Sequence, residues 1–196
     1  MRTANEANKE KFLIAAVSEL EEHGVTDFSI RRVAKKCDVS CAAPYKHFES
    51  KNDLLLEVMR YIGKKWKKVL EATIESHKGE SARDQIVAVC MAYLAFLCTY
   101  PEYQTILYMN DRVFEPEFLA EKNKLSAVTI DLIREYCVAT NIDEKTLNEK
   151  YFVIRALLFG GALMINSGAL PFDGGTMDMI KDKIEREFDM LQKNRV

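Results

Sequence analysis

Apolar residues recur at helical spacing along almost the whole chain, and this periodicity limits the possible folds more than any other feature. Near the N-terminus, Phe12, Ala16 and Leu20 repeat every four residues, which places them on one face of a helix. Only eight glycines and four prolines occur among 196 residues, too few for a sandwich or barrel of many short strands. We therefore expect an all-α fold.

Capping residues and helix breakers divide the chain into about nine predicted helices. Gly24 is expected to end the first, Ser29 to cap the second, and Ser50 with Asp53 to form a capping box for the fourth. The predicted ranges are about 5–23, the short segment after Ser29, 41–47, the helix from Ser50, 81–99, 101–109, 116–139, 144–167 and 176–193. We expect residues 1–50 to form an N-terminal three-helix domain and residues 51–196 a second helical domain.

Several functional classes are not expected from this sequence. It contains no Gly-rich phosphate loop, no G-x-S-x-G, no H-E-x-x-H and no cysteine spacing typical of metal sites, so we predict no enzyme, cofactor or metal centre. The N-terminal segment alternates charges and lacks the apolar run of a signal peptide. Five cysteines form an odd set without a C-x-x-C pair, which favours reduced thiols and a cytoplasmic location.

Two long uncharged stretches, residues 85–101 and 156–172, raise the question of a membrane span. Each has 17 residues, fewer than the roughly 20 that a spanning helix needs. We predict buried helices for both and no membrane contact.

The charge of the chain is distributed unevenly. The net charge is −2, but residues 28–68 contain eleven Lys/Arg and four Asp/Glu. One basic segment within an acidic chain is the pattern expected of a surface that faces phosphates. A solvated helix face is the alternative, and charge alone does not separate the two.

Residues 28–51 carry the pattern of a helix-turn-helix. They read FSIRRVAKKCDVSCAAPYKHFESK, two short helices joined by a turn of three or four residues. The second helix is expected to present small residues to base edges and polar residues to phosphates. The small residues are Cys41, Ala42 and Ala43, and the polar ones are Tyr45, Lys46, His47 and Lys51. Val39 and Phe48 are expected to pack this helix onto the first two.

This segment resembles the TetR (tetracycline-repressor) family of bacterial transcriptional regulators. The matching residues, in order, are Ala15-Ala16, Gly24, Phe28-Ser29, Val33-Ala34, Val39-Ser40, the run Tyr45-x-His47-Phe48-x-Ser50-Lys51, and Leu54. Two positions depart from the family pattern. Ala43 stands where the family often has a threonine or serine that binds a phosphate, and Asp38 stands where it usually has glycine.

The resemblance implies a role for each matching residue. Ser29, Tyr45 and His47 would contact phosphates, Arg31 would reach the backbone or a base, and Lys51 would anchor the flank. Cys41, Ala42 and Ala43 would face the bases. The implied protein is a ligand-responsive regulator, expected to be a repressor that binds a pseudo-palindromic DNA operator as a homodimer and is released by a small-molecule effector.

In the family the second domain encloses the effector and forms the dimer, and the sequence offers candidates for both. For the dimer interface they are Ile154, Leu158, Gly160, Gly161, Ile165, Met177, Ile180, Ile184, Phe188 and Leu191. For an apolar or aromatic effector they are Trp66, Met91, Tyr93, Phe96, Tyr103, Tyr108, Met109 and Phe114, and Arg112 or Arg155 could pair an anionic one. Packing inside the same chain is the alternative for both sets.

Two other functions remain open at this point. The chain could bind DNA without sequence preference and sense no metabolite, or it could bind small molecules and dock a protein partner through its basic segment. The specific Y-x-H-F-x-S-K run favours the first hypothesis, an operator-binding regulator.

Overall fold

The computed structural model describes residues 4–108, 116–140 and 142–193. These residues form eight α-helices and one short 3₁₀ helix, with no strand among them, so the all-α prediction is confirmed. The α-helices are α1 (Ala4–His23), α2 (Ile30–Lys36), α3 (Lys51–Ser76), α4 (Ala82–Thr99), α5 (Pro101–Tyr108), α6 (Pro116–Ala139), α7 (Glu144–Asn166) and α8 (Gly174–Lys193). Most bounds differ from the predicted ones by no more than two residues.

The predicted third helix, 41–47, is wrong in type. A turn is followed by a 3₁₀ helix over Pro44–Lys46. The Lys46 amide donates to the Ala43 carbonyl at 3.2 Å and the His47 amide to the Pro44 carbonyl at 2.9 Å, the i→i−3 spacing of a 3₁₀ helix. Because Pro44 has no amide hydrogen, an α-helix here would begin with one donor missing.

The residues predicted to end or cap helices lie at the helix ends. Gly24 has φ +69° and its amide donates to the Leu20 carbonyl, which ends α1. Asp38 has φ +56° in the turn after α2, a left-handed conformation that aspartate adopts more readily than most residues. Ser50 caps α3 as predicted, since the Asp53 amide donates to Ser50 Oγ. Asp53 Oδ2 accepts from the Glu49 amide, one residue before the cap, so the reciprocal bond of the box is shifted by one residue.

The chain divides into two compact units. The first consists of Met1–Lys65 and Glu102–Leu125, and the second of Trp66–Pro101 and Ser126–Val196. Each unit is a set of residues that pack mainly against one another. The division at residue 50 into a DNA-binding and an effector-binding part concerns function and stays a prediction.

The core of the first unit forms where α1 packs on α2. Ala16, Leu20, Val33 and Ala34 have no exposed surface, and Phe48 is 1% exposed. The predicted packing of Phe48 is therefore confirmed. Val39 is 42% exposed, so its side chain is packed less fully than the prediction implied.

The second unit is built on α4, which packs against α7 and α8. By length and composition alone α4 could span a membrane, but Ile86, Cys90 and Leu94 on it are completely buried. This is the position of a core helix.

Candidate nucleic-acid interface

Two ion pairs hold α2 against α1. Glu19 is completely buried on α1, and Arg32 Nε donates to its Oε1 at 2.6 Å. Arg32 also donates to the Asp27 carbonyl. One turn further along α2, Lys36 Nζ lies 2.5 Å from Glu22 Oε1, and this hydrogen bond holds the pKa of Glu22 below its ordinary value. The pair at Glu19 is buried and the pair at Glu22 lies at the surface, and together they fix α2, with its exposed residues, on α1.

Lys51 and His47 have packing contacts within the first unit. The Lys51 ammonium donates to the Val25 carbonyl at 2.9 Å, which ties the start of α3 to the loop after α1. The His47 ring centroid lies 5.5 Å from that of Phe12 and 6.1 Å from that of Phe48. Both residues are half-buried. Their contacts position residues 41–46, the turn and 3₁₀ helix that are called the recognition segment below.

The remaining predicted contact residues lie at or near the surface. The exposed ones are Arg31, Cys41, Ala42, Tyr45 and Lys46, and the half-buried ones are Ser29 and Ala43. Tyr45 is 56% exposed although it is aromatic. Ser29 occupies the N-cap position of α2, but its side chain makes no capping hydrogen bond. Such a surface can offer small groups to base edges and hydroxyl or ammonium donors to phosphates.

Residues 12–58 match the family model described as bacterial regulatory proteins, tetR family. The N-terminal part of this chain is thus similar to the tetR family. The match covers α1 from Phe12 onward, α2, the recognition segment and the first turns of α3. Together with the all-α fold, this match is typical of DNA-binding transcriptional regulators of the TetR type.

Solved structures agree with the fold over nearly the whole chain. A TetR-like transcriptional regulator from Rhodococcus sp. RHA1 is 18% identical, with 95% of this chain and 96% of that one covered and a TM-score of 0.73. A TetR family regulator from Marinobacter aquaeolei VT8 is also 18% identical, with 95% and 98% covered and a TM-score of 0.75. FadR from Bacillus subtilis, solved with stearoyl-CoA, is 15% identical, with 90% and 95% covered and a TM-score of 0.66. A comparison with curated proteins gives no match.

Most residues predicted for a dimer interface are buried within the chain itself. Ile154, Leu158, Gly161, Ile165, Ile180, Ile184 and Phe188 are all buried. A Cβ on Gly161 would lie 2.9 Å from Ile180 Cδ1, which shows how closely α7 approaches α8. Phe188 contacts Tyr136 edge to face, with 5.4 Å between ring centroids. For these seven, the burial is provided by their own chain.

The other three predicted interface residues differ. Gly160 and Met177 are half-buried, and the side chain of Leu191 lies outside the described part.

The prediction omitted several apolar side chains that are exposed on α7 and α8. Phe152 is 72% exposed, Leu163 58% and Met179 47%. Phe152 and Leu163 are eleven residues apart, so they lie on one face of α7.

The predicted effector residues are only partly brought together. In the second unit, the Trp66 ring centroid lies 4.9 Å from that of Tyr93 and 5.5 Å from that of Phe96. Two aromatic residues that the prediction omitted extend this cluster, because Phe159 contacts Tyr93 and Tyr100 contacts Phe96. Met91 is half-buried on α4, the helix that also carries Tyr93 and Phe96. Tyr103 belongs to the first unit. The side chain of Tyr108, and all of Met109, Arg112 and Phe114, lie outside the described residues.

Arg155 is the second candidate partner for an anionic effector. It is exposed on α7, and its guanidinium lies 5.0 Å from the centroid of the Phe159 ring. This contact places a cation at the edge of the aromatic cluster.

Proposed function

We infer that this chain is a cytoplasmic, homodimeric repressor that binds a pseudo-palindromic operator and is released by a small-molecule effector. The observation that carries this is the surface of the recognition segment. A turn rich in small side chains is held on a packed α1–α2 core, with Tyr45 and Lys46 exposed beside it. A DNA-reading element needs this combination of a rigid support and a narrow exposed surface.

The contacts would divide into two kinds. Cys41, Ala42 and Ala43 would lie against base edges, where an alanine can touch a thymine methyl but cannot offer a hydrogen bond. Ser29, Arg31, Tyr45 and Lys46 would contact the backbone, with Arg31 also able to reach a guanine. His47 and Lys51 would hold the segment next to the backbone. Phosphate contacts set the register and base contacts select the sequence.

A second copy of the chain would bind through the exposed apolar face of α7 and α8. Phe152, Leu163 and Met179 are exposed on these helices, and a Cβ on Gly160 would meet nothing within 4 Å. Large apolar side chains next to an open backbone suit close packing with a partner helix. Two recognition segments would then bind half-sites about 34 Å apart.

The effector would act through the second unit. The cluster of Trp66, Tyr93, Phe96 and Phe159 favours an apolar or aromatic ligand, and Arg155 would favour one with an anionic group. FadR from Bacillus subtilis, whose fold this chain resembles, was solved with stearoyl-CoA, which supports a ligand of this general kind. The effector would release DNA by binding more tightly to a conformation with low DNA affinity.

The DNA-binding proposal is tested by selecting duplexes from a random library at about 150 mM salt, where non-specific binding is already weak. The wild-type protein should recover one inverted repeat. Tyr45→Phe, which removes only the hydroxyl, should bind every selected duplex more weakly by a similar factor. Tyr151→Phe, the same change at a half-buried position on α7, should bind as the wild type does.

The competing functions predict different results from the same selection. A protein that binds DNA without sequence preference would recover no motif and lose its affinity steeply with salt. A partner-docking protein would bind no duplex even at low salt. Either result would overturn the proposal.

The dimer is tested by sedimentation of Phe152→Lys. We expect this charge to shift the protein from dimer to monomer. The control is Ile14→Lys, on α1, because Ile14 is 55% exposed but lies in the other unit. If the Phe152 variant remains a dimer, or if the wild type is a monomer, the proposed interface is wrong.

A further inference from the structure

The four basic residues of α2 divide into two pairs that face different surroundings. Arg32 and Lys36 are bound to the carboxylates of α1, as described above. Arg31 and Lys35 are exposed, and neither forms an ion pair with any described residue. Because they are four residues apart, they lie one above the other on the outer face of the helix. One helix thus carries two neutralised and two available cations.

The two available cations line a groove at the end of α2. The groove has a volume of about 530 Å³ and is formed by Arg31, Arg32, Lys35, Asp38, Val39, Ser40 and Cys41. Asp38 is the one acidic residue of this lining. Since Arg32 is already compensated by Glu19, the available charge comes from Arg31, Lys35 and Asp38, and it is positive. The Ser40 side chain adds a neutral hydroxyl donor.

The groove also adjoins the surface proposed to read DNA. Cys41, the first of the residues assigned to base edges, is part of its lining. In a helix-turn-helix the first helix crosses the DNA backbone while the second segment enters the major groove. A basic groove between these two elements therefore lies where a strand would pass.

We propose that this groove takes a phosphate of the DNA backbone, and that Lys35 contacts this phosphate together with Arg31. The inference rests on the proposed DNA-binding function and adds Lys35 to it as a residue that contacts the phosphate directly. A lysine ammonium is a compact charge that binds a phosphate without reading a base. Lys35 therefore raises affinity on every sequence, whereas Lys36, one residue further along, contributes only to the packing of α2 on α1.

Lys35→Gln and Lys36→Gln form a matched pair for the test. Each variant removes one positive charge from α2, so the net charge of the two proteins is identical. The full-length proteins are titrated against a mixed-sequence duplex between about 50 and 200 mM salt, which requires no knowledge of the operator. The measured quantity is the slope of log K against log salt.

We expect Lys35→Gln to make this slope shallower by about 0.9, the value for one lost phosphate contact. Lys36→Gln should leave the slope as in the wild type. Equal changes in both variants would show that only net charge matters and would overturn the inference. If the wild type binds no duplex at the lowest salt, it is the proposed function that fails.

Asp38→Asn provides a second, opposite test of the groove. Asparagine tolerates the left-handed backbone at this position, so the fold is kept while the carboxylate is removed. Affinity for the mixed-sequence duplex should rise, and the rise should be larger at low salt. Unchanged affinity would mean that no phosphate enters the groove. Thermal unfolding of all three variants should match the wild type closely enough to exclude misfolding.

Discussion

Replacing Arg32 by methionine should destabilise the protein far more than replacing its buried partner Glu19 by methionine. Glu19 has no exposed surface. Its Oε1 accepts the hydrogen bond from Arg32, and its Oε2 has no hydrogen-bond partner in the described structure, with His23 Nδ1 3.5 Å away. Without Arg32 the Glu19 carboxylate would remain buried with only the His23 imidazole nearby. Without Glu19, Arg32 can turn toward water, because its side chain is already 41% exposed.

The expected magnitudes follow from this asymmetry. Removing one partner of a buried ion pair costs roughly 3–5 kcal/mol. Because Arg32 is partly exposed, water already screens part of its interaction with Glu19. We therefore expect Arg32→Met to lower the free energy of unfolding by about 3 kcal/mol, the lower end of this range. Replacing Glu19 should cost less than about 1 kcal/mol, since methionine fills the same space without a charge. The double variant should be nearly as stable as the wild type, because an apolar pair can replace a buried ion pair.

Thermal unfolding followed by circular dichroism measures these differences. For a chain of this size about 3 kcal/mol corresponds to a melting temperature lower by roughly 6–12 °C. Lys36→Met, which removes the cation that pairs with the exposed Glu22, is the control and should have a clearly smaller effect. The reasoning fails if both single variants melt together, or if the double variant is no more stable than Arg32→Met.

Two further predictions concern packing and thiol chemistry. Gly161→Ala should be less stable than Gly63→Ala by roughly 1–3 kcal/mol in thermal unfolding. The added Cβ would lie 2.9 Å from Ile180 Cδ1 at position 161, whereas at position 63 it would meet nothing closer than 3.6 Å. Equal stability of the two variants would mean that Ile180 can move away without loss of stability. Cys41 is exposed, while burial raises the pKa of the Cys90 thiol to about 12. An alkylating reagent at neutral pH should therefore modify Cys41 in the folded protein, because this thiol is accessible to the reagent. Cys90 should stay unmodified until the protein unfolds. Peptide mass analysis that finds Cys90 labelled at a similar rate would contradict its burial.

The helices could be predicted from the sequence because their causes are local. Periodicity, proline at a first turn and serine or aspartate caps act within a few residues, and the range 116–139 agrees with α6 at both ends. The 3₁₀ helix at Pro44–Lys46 was mistaken for an α-helix because three residues contain too little periodicity to separate the two.

The candidate site could be predicted as a set of residues but not as an arrangement. The sequence identified Tyr45 and Lys46, which are exposed, and it indicated that α7 and α8 each have an apolar face. It did not indicate what covers that face. Ile184 and Phe188 are covered by their own chain, and Phe152 remains exposed. An apolar stripe has the same pattern in both cases, because the hydrophobic effect depends on the area buried and not on which chain buries it.

By itself, the sequence determined the all-α class, the order and approximate bounds of the helices, and the motif by which the N-terminal part resembles the tetR family. Only the tertiary structure decided which charges are available to a ligand. Lys35 and Lys36 are adjacent and identical in the sequence, yet Lys36 is bound to Glu22 and Lys35 faces the groove. The physical reason is that a charge is neutralised by the groups that lie within a few ångströms of it, and Glu22 comes close only when α1 packs on α2.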